Sequence, residues 1–155
     1  MIDDAVRLSA SLLVQPFEGY HRKLDDGSCS AYPDPGTGAQ PWTIGWGSTG
    51  ADIGPDTTWS RRDADARLER DLGKFAAGVM GLSPGLVSEP DNRCAAIISF
   101  AYNCGLGNYR VSTLRKRVND QDWAGAREEI VKWNKAAGRV LKGLTRRRQA
   151  EAAML

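Results

Sequence analysis

Within the first fifteen residues, apolar side chains recur at Ala5, Leu8 and Leu12, the i, i+3, i+7 spacing of one helical face. Pro16 disfavours a helical residue before it, so this pattern predicts a helix over residues 3–15 with Glu18 just past its end. From Gly19 to Thr58 the pattern changes to turn residues and short aromatic or β-branched pieces, notably Ala31-Tyr32-Pro33-Asp34 and Trp42-Thr43-Ile44-Gly45-Trp46-Gly47. That reads as a small antiparallel sheet, with Asp34-Pro35-Gly36-Thr37-Gly38 supplying a turn. Ser60 and Asp63 form a capping-box pattern ahead of a helix over residues 64–80, which lines up Ala64, Leu68, Leu72, Phe75, Ala76 and Val79. Glycine and proline between 81 and 90 break it. Residues 91–104 then carry Ala95, Ile98, Ala101 and Tyr102 at helical spacing, the pattern of a central buried helix. Shorter helices are expected near 112–119 and 122–134, and a last one near 144–155.

No internal repeat or linker divides the chain. The expected architecture is α+β: one domain over residues 1–155, with a small sheet lobe at about 17–59 and a helical lobe at about 60–155 that also takes the N-terminal helix. Composition agrees, since 155 residues with 41% hydrophobic and 26% charged side chains suffice for one core. The formal net charge of +2 hides an asymmetry: residues 1–92 carry 8 basic and 14 acidic side chains, and residues 93–155 carry 13 and 5. A basic half attracts polyanions through salt-sensitive forces without identifying one. The first fifteen residues carry two aspartates and too short an apolar run for a secretory signal or a membrane span, so export by this segment is not expected.

Three cysteines, Cys29, Cys94 and Cys104, cannot all pair within one chain. Cys94 and Cys104 share a predicted helix, where ten residues span roughly 15 Å, too far for a disulfide. Reduced thiols fit a cytoplasmic origin, although a pair between Cys29 and either partner stays open. A thiol nucleophile needs a base, and a zinc centre needs several ligands; the single histidine, His21, disfavours both. No metal and no cofactor are expected. Tryptophan defaults to core packing, which suits Trp123 and Trp133; for Trp42 and Trp46 a role in a site stands level with it.

Glycosidic bonds are cut by two carboxyl groups flanking the bond, one giving a proton to the leaving oxygen and the other assisting water or attacking the sugar. Glu18 at a helix end and Asp34 at a hairpin rim could face one groove, but their spacing alone is weak evidence. The wider run is more specific. Phe17-Glu18-Gly19, Ala31-Tyr32-Pro33-Asp34-Pro35 and Pro41-Trp42-Thr43-Ile44-Gly45-Trp46-Gly47 together resemble the signature of the phage T4-type lysozymes, the glycoside hydrolase family 24 endolysins. The resemblance continues through Arg93-Cys94-Ala95-Ala96, Phe100-Ala101-Tyr102-Asn103-Cys104-Gly105, Ser112-Thr113-Leu114 and Gly143-Leu144-Thr145-Arg146-Arg147-Arg148 to Glu151, nearly the whole chain.

That resemblance implies a lysozyme-like fold with a cleft between its lobes, in which Glu18 is the general acid, Asp34 the second carboxylate and Thr43 the hydroxyl that holds the attacking water. It also implies hydrolysis of the β-1,4 bond between N-acetylmuramic acid and N-acetylglucosamine, with inversion, which calls for carboxyl groups about 6.5 to 9.5 Å apart. To work as an acid near neutral pH, Glu18 must hold its proton beyond the usual carboxyl range. Tyr102 and Asn103 match a cleft-facing pair, with Asn103 bonding the acetamido group, and Arg147 stands for the arginine triplet as a substrate contact. The implied partners are peptidoglycan glycan strands and a holin that releases a monomeric enzyme from the host cytoplasm to the periplasm or wall. Neither nucleic acid nor stable membrane insertion is expected.

Two departures stand out. The stretch from His21 to Ser30 is longer than in the shortest relatives, which leaves the strand register before Asp34 open. Ser48 replaces a histidine common after the Gly-x-Gly turn. The competing readings are a lytic transglycosylase, which would not need Asp34 and Thr43, and a non-catalytic wall-binding protein.

Overall fold

The N-terminal helix does not end at Pro16. In the computed structural model, which describes residues 2–34 and 37–155, α1 (Ile2–Leu8) widens into a π-helical stretch at Ser9–Val14, and the chain then resumes α-helical geometry as α2 (Gln15–Glu18). A π turn makes its hydrogen bonds one residue further along, so it resets the helical phase. Pro16 falls in the first turn of the new segment, where a missing N–H costs nothing. Glu18 is therefore the last residue of a helix rather than the first beyond it.

The turn-rich segment forms short antiparallel pairs. β1 (Cys29–Ser30) pairs with β4 (Thr58–Trp59), and β2 (Thr43–Ile44) pairs with β3 (Ser48–Thr49). Single bridges join Lys23 to Cys29 and Tyr32 to Thr43. Of the expected turn 34–38, Pro35 and Gly36 lie outside the described residues; Gly38 takes φ +68°. α3 (Arg61–Leu82) starts on the predicted capping box, where the Ser60 hydroxyl donates to Asp63 Oδ2 at 2.6 Å and Asp63 N–H donates back at 3.1 Å. Its buried stripe runs Ala64, Leu68, Leu72, Ala76 and Val79, as the spacing predicts.

A 3₁₀ turn at Pro84–Ser88 leads to α4 (Asp91–Cys104), followed by α5 (Leu106–Val111), α6 (Thr113–Asn119) and α7 (Trp123–Ile130). The two short helices α6 and α7 are capped by the side chains of Ser112 and Asp122, which accept from the amides of Arg115 and Gly125. A small hairpin, β5 (Lys135–Ala136) with β6 (Arg139–Val140), turns at Ala137 and Gly138, both at positive φ, before α8 (Lys142–Ala152). The sequence pattern extended α7 to Asn134, the edge of this hairpin, and showed neither the hairpin nor α5.

By contacts the chain divides into two units: residues 14–71, and residues 1–13 with 72–155. The first turns of α3 thus belong to the sheet-bearing unit. In the helical unit α1, α5 and α8 pack against α4, whose residues from Cys94 to Ala101 are all buried, and α7 packs on α6 and α8. The three cysteines are free thiols, with Cys94 and Cys104 on α4. No helix among the described residues is long and apolar enough to cross a membrane.

Candidate functional site

Glu18 ends α2, and the chain leaves it through Gly19 at φ +73°. Two contacts fix that exit. The His21 ring stands with Nε2 2.7 Å from the Glu18 carbonyl, which can only accept, so the ring donates. Gly47, at φ +88°, lies so close to the Glu18 carboxylate that a Cβ there would stand 3.1 Å from Oε2. Only glycine combines that backbone conformation with that approach. Gly45, two residues earlier at φ +63°, is similarly tight against Ala64 of α3, where a Cβ would meet a methyl at 3.0 Å. The Gly-Trp-Gly turn between β2 and β3 is thus wedged between α3 and the carboxylate.

Tyr32 and Thr43 exchange both backbone hydrogen bonds at 2.9 Å, so their side chains leave the same face of the strand pair. Burial pushes the Tyr32 phenol up, and the negative charge of Glu18 pushes it further in the same direction. The His21 ring, bonded to the Glu18 carbonyl, meets Tyr32 edge-on at 5.8 Å and so links the end of α2 to the strand pair of Tyr32 and Thr43. Asp34 follows two residues after Tyr32, in a tight loop of its own making. Its N–H donates to Ala39 O at 3.1 Å, its carbonyl accepts from Gly38 at 2.8 Å, and its Oδ1 accepts from the Thr37 amide at 3.0 Å. A carboxylate committed at one oxygen to its own loop is held in orientation.

Asp65 on α3, which the sequence reading passed over, ties this frame together. Its Oδ1 accepts from Trp46 Nε1 at 2.7 Å, from Gln15 Nε2 at 3.1 Å and from Arg61 Nε at 3.2 Å. Gln15 lies on the helical turn that carries Glu18, and Trp46 precedes the glycine that meets the Glu18 carboxylate. Arg61 also lies over the Trp46 and Tyr20 rings, 4.4 and 4.9 Å from their centroids. Trp46 is buried, and its ring is 4.9 Å from that of Tyr20. Two residues after Asp65, Arg67 anchors the end of β3, reaching Asp52 at 2.6 Å, Asp71 at 2.9 Å and the Thr49 carbonyl at 3.1 Å.

The remaining candidates belong to the helical unit. Tyr102 is half-buried with its ring edge-on to Phe75 at 5.3 Å, and Asn103 is exposed near the end of α4. Arg147 is 3% exposed. Its Nε lies 3.3 Å from Glu151 Oε1, and its Nη2 lies 3.4 Å from the Ser99 carbonyl and hydroxyl. Arg148, fully buried, pairs with the other Glu151 oxygen at 2.7 Å and approaches Cys104 Sγ at 2.8 Å. Arg146 is the exposed member of the triplet.

The family profile described as Phage lysozyme matches residues 17–151, a span that contains Glu18, Asp34, Thr43, Tyr102, Asn103 and Arg147. The chain belongs to the phage lysozyme family. Among its relatives, an endolysin of Bacillus phage PZA is 36% identical over 142 residues, which is 92% of this chain and 51% of that protein. A SAR-endolysin of Enterobacteria phage P21 is 36% identical over 111 residues, 71% of this chain and 66% of that one. The chain spans about half the length of the Bacillus phage relatives it matches. The phage lysozyme fold is evident in solved structures too. An endolysin from Escherichia coli O157:H7 phage FAHEc1 superposes with a TM-score of 0.72 at 28% identity, over 99% of this chain and 89% of that one. The active form of P1 phage endolysin Lyz gives 0.77 at 20% identity, over 99% and 92%, a likeness of fold. The α+β, lysozyme-like architecture expected from the sequence is borne out.

Proposed function

We propose that this protein is a phage endolysin that hydrolyses the β-1,4 bond between N-acetylmuramic acid and N-acetylglucosamine in bacterial peptidoglycan. The observation that carries the reading is the seat of Glu18: a carboxyl group at a helix end, pressed against the backbone of Gly47 and sharing its surroundings with Tyr32, the strand partner of Thr43. Glu18 gives its proton to the glycosidic oxygen as the bond to C1 breaks. A water held by the Thr43 hydroxyl attacks C1 from the opposite side, and Asp34 takes its proton. A threonine hydroxyl suits that task because it donates to a carboxylate and accepts from water at once. The net result is addition of one water with inversion at C1.

On the helical unit, Asn103 is exposed and presents an amide suited to the acetamido group, with Tyr102 beside it. Arg147, 3% exposed and enclosed among Ser99 and Glu151, is held inside the helical unit rather than offered as a substrate contact. The site of action is the cell wall, reached from the host cytoplasm through a holin-type pore.

The test uses purified sacculi and soluble glycan fragments with wild type and Glu18→Gln. Wild type should solubilise sacculi, and proton NMR at early times should show the inverted anomer at the new reducing end. A retained anomer would exclude Asp34 as water base, and full activity of Glu18→Gln would exclude Glu18 as the acid.

A further inference from the structure

Four of the five tryptophans are tied into ring contacts. Trp46 lies against Tyr20 and Arg61, Trp59 under Arg67, Trp123 under Arg93, and Trp133 edge-on to Phe100. Trp42 has no such contact among the described residues. It is half-buried and lines an open cavity of about 590 Å³ whose walls include Gln40, Pro41, Thr49 and Ile53. That volume falls within the range of small-ligand sites. The β2–β3 register pairs Thr43 with Thr49 and Ile44 with Ser48, so continuing it by one residue sets Trp42 opposite Gly50, where no side chain can cover the indole. Successive residues of an extended chain point to opposite faces, which directs Trp42 away from the face shared by Thr43 and Tyr32.

We infer that this cavity is a second saccharide site, in which the Trp42 indole stacks on the apolar face of an N-acetylated sugar while the exposed Gln40 amide meets its hydroxyl and acetamido groups. A half-buried indole beside an amide, with no charged residue on the cavity wall, forms the chemistry of a neutral carbohydrate, not of an anion. The choice of ligand rests on the peptidoglycan reading above. A second hold on the same polymer raises the local concentration of bonds to be cut without touching the chemistry.

The probe is a tetramer of N-acetylglucosamine titrated into the ¹⁵N-labelled full chain, with the Trp42 indole N–H assigned from its loss in Trp42→Phe. The inference requires a saturable shift of that signal, retained in Glu18→Gln. It further requires that Trp42→Ala weaken retention on sacculi at least about tenfold, and that its loss of rate on sacculi exceed its loss on soluble oligomers by a similar factor. Trp42→Tyr should restore most of the retention. An unmoved indole signal, or equal losses on both substrates in a variant whose circular dichroism is native, would overturn the inference. Binding of the oligomer at Trp42 by a wild-type protein that cuts no sacculi would instead sink the peptidoglycan hydrolase reading and leave the saccharide site standing.

Discussion

The two units of the chain are held by different physics. The helical unit closes around aliphatic and aromatic side chains with no solvent exposure, including Ile97, Ile98, Phe100, Leu114 and Ile130. In the sheet-bearing unit the named strands are two residues long, and much of the frame is polar: Asp65 gathers Gln15, Arg61 and Trp46, and Arg67 gathers Asp52, Asp71 and Thr49. Apolar burial is non-directional and supplies stability in bulk. Hydrogen bonds supply less net energy but fix positions. The carboxylates proposed for catalysis both sit in the unit that is fixed by direction.

That contrast can be broken experimentally. The largest effect belongs to Glu18→Gln, which should cut activity by about 10³-fold or more while leaving the melting temperature nearly unchanged, since it removes a proton donor and no packing. Next comes Phe100→Ala on α4, expected to cost about 3 to 5 kcal/mol in denaturant unfolding while the activity per folded molecule persists. Asp65→Asn reverses that pattern. It should lower kcat by about 10- to 100-fold through misplacement of Glu18, with a stability loss of only about 1 to 2 kcal/mol. An Asp65→Asn variant with unchanged kcat would show that the network does not set the site.

The smallest effect is expected at Tyr109, whose hydroxyl lies 2.7 Å from that of Ser83. Burial pushes its phenol up to about 12 against an ordinary 10.0, with the Ser83 bond acting in the opposite direction. The unfolded chain thus loses this proton first, so the stability it contributes is present below pH 10 and is lost as the pH rises through 12. Tyr109→Phe should cost about 1 kcal/mol at neutral pH and flatten that part of the alkaline decline in chemical unfolding.

The same contrast explains what could be read in the sequence. α4 was legible to its ends because its apolar spacing is the direct imprint of a buried helix, and the Ser60–Asp63 cap was legible because its partners are three residues apart. Glu18, Asp34 and Thr43, the residues proposed for catalysis, were singled out through a motif resemblance, whereas Asp65 was not: its partners Gln15 and Trp46 are 50 and 19 residues away, and on its own helix it looks like an ordinary partner for Arg61. The passage of the N-terminal helix through Pro16 depended on a π turn that leaves no mark in hydrophobic periodicity. The β5–β6 hairpin escaped because its strand residues are all exposed, so no alternation records it.

The central claim is that Glu18 drives hydrolysis of the glycan itself. Mass spectrometry of the fragments released from purified peptidoglycan by wild type and by Glu18→Gln tests it most directly. The account predicts hydrated, reducing muramic acid ends from wild type and none from the variant. Anhydro ends would contradict it in favour of a lytic transglycosylase, free stem peptides in favour of a peptide-cleaving enzyme, and no release by wild type in favour of a protein that only binds the wall.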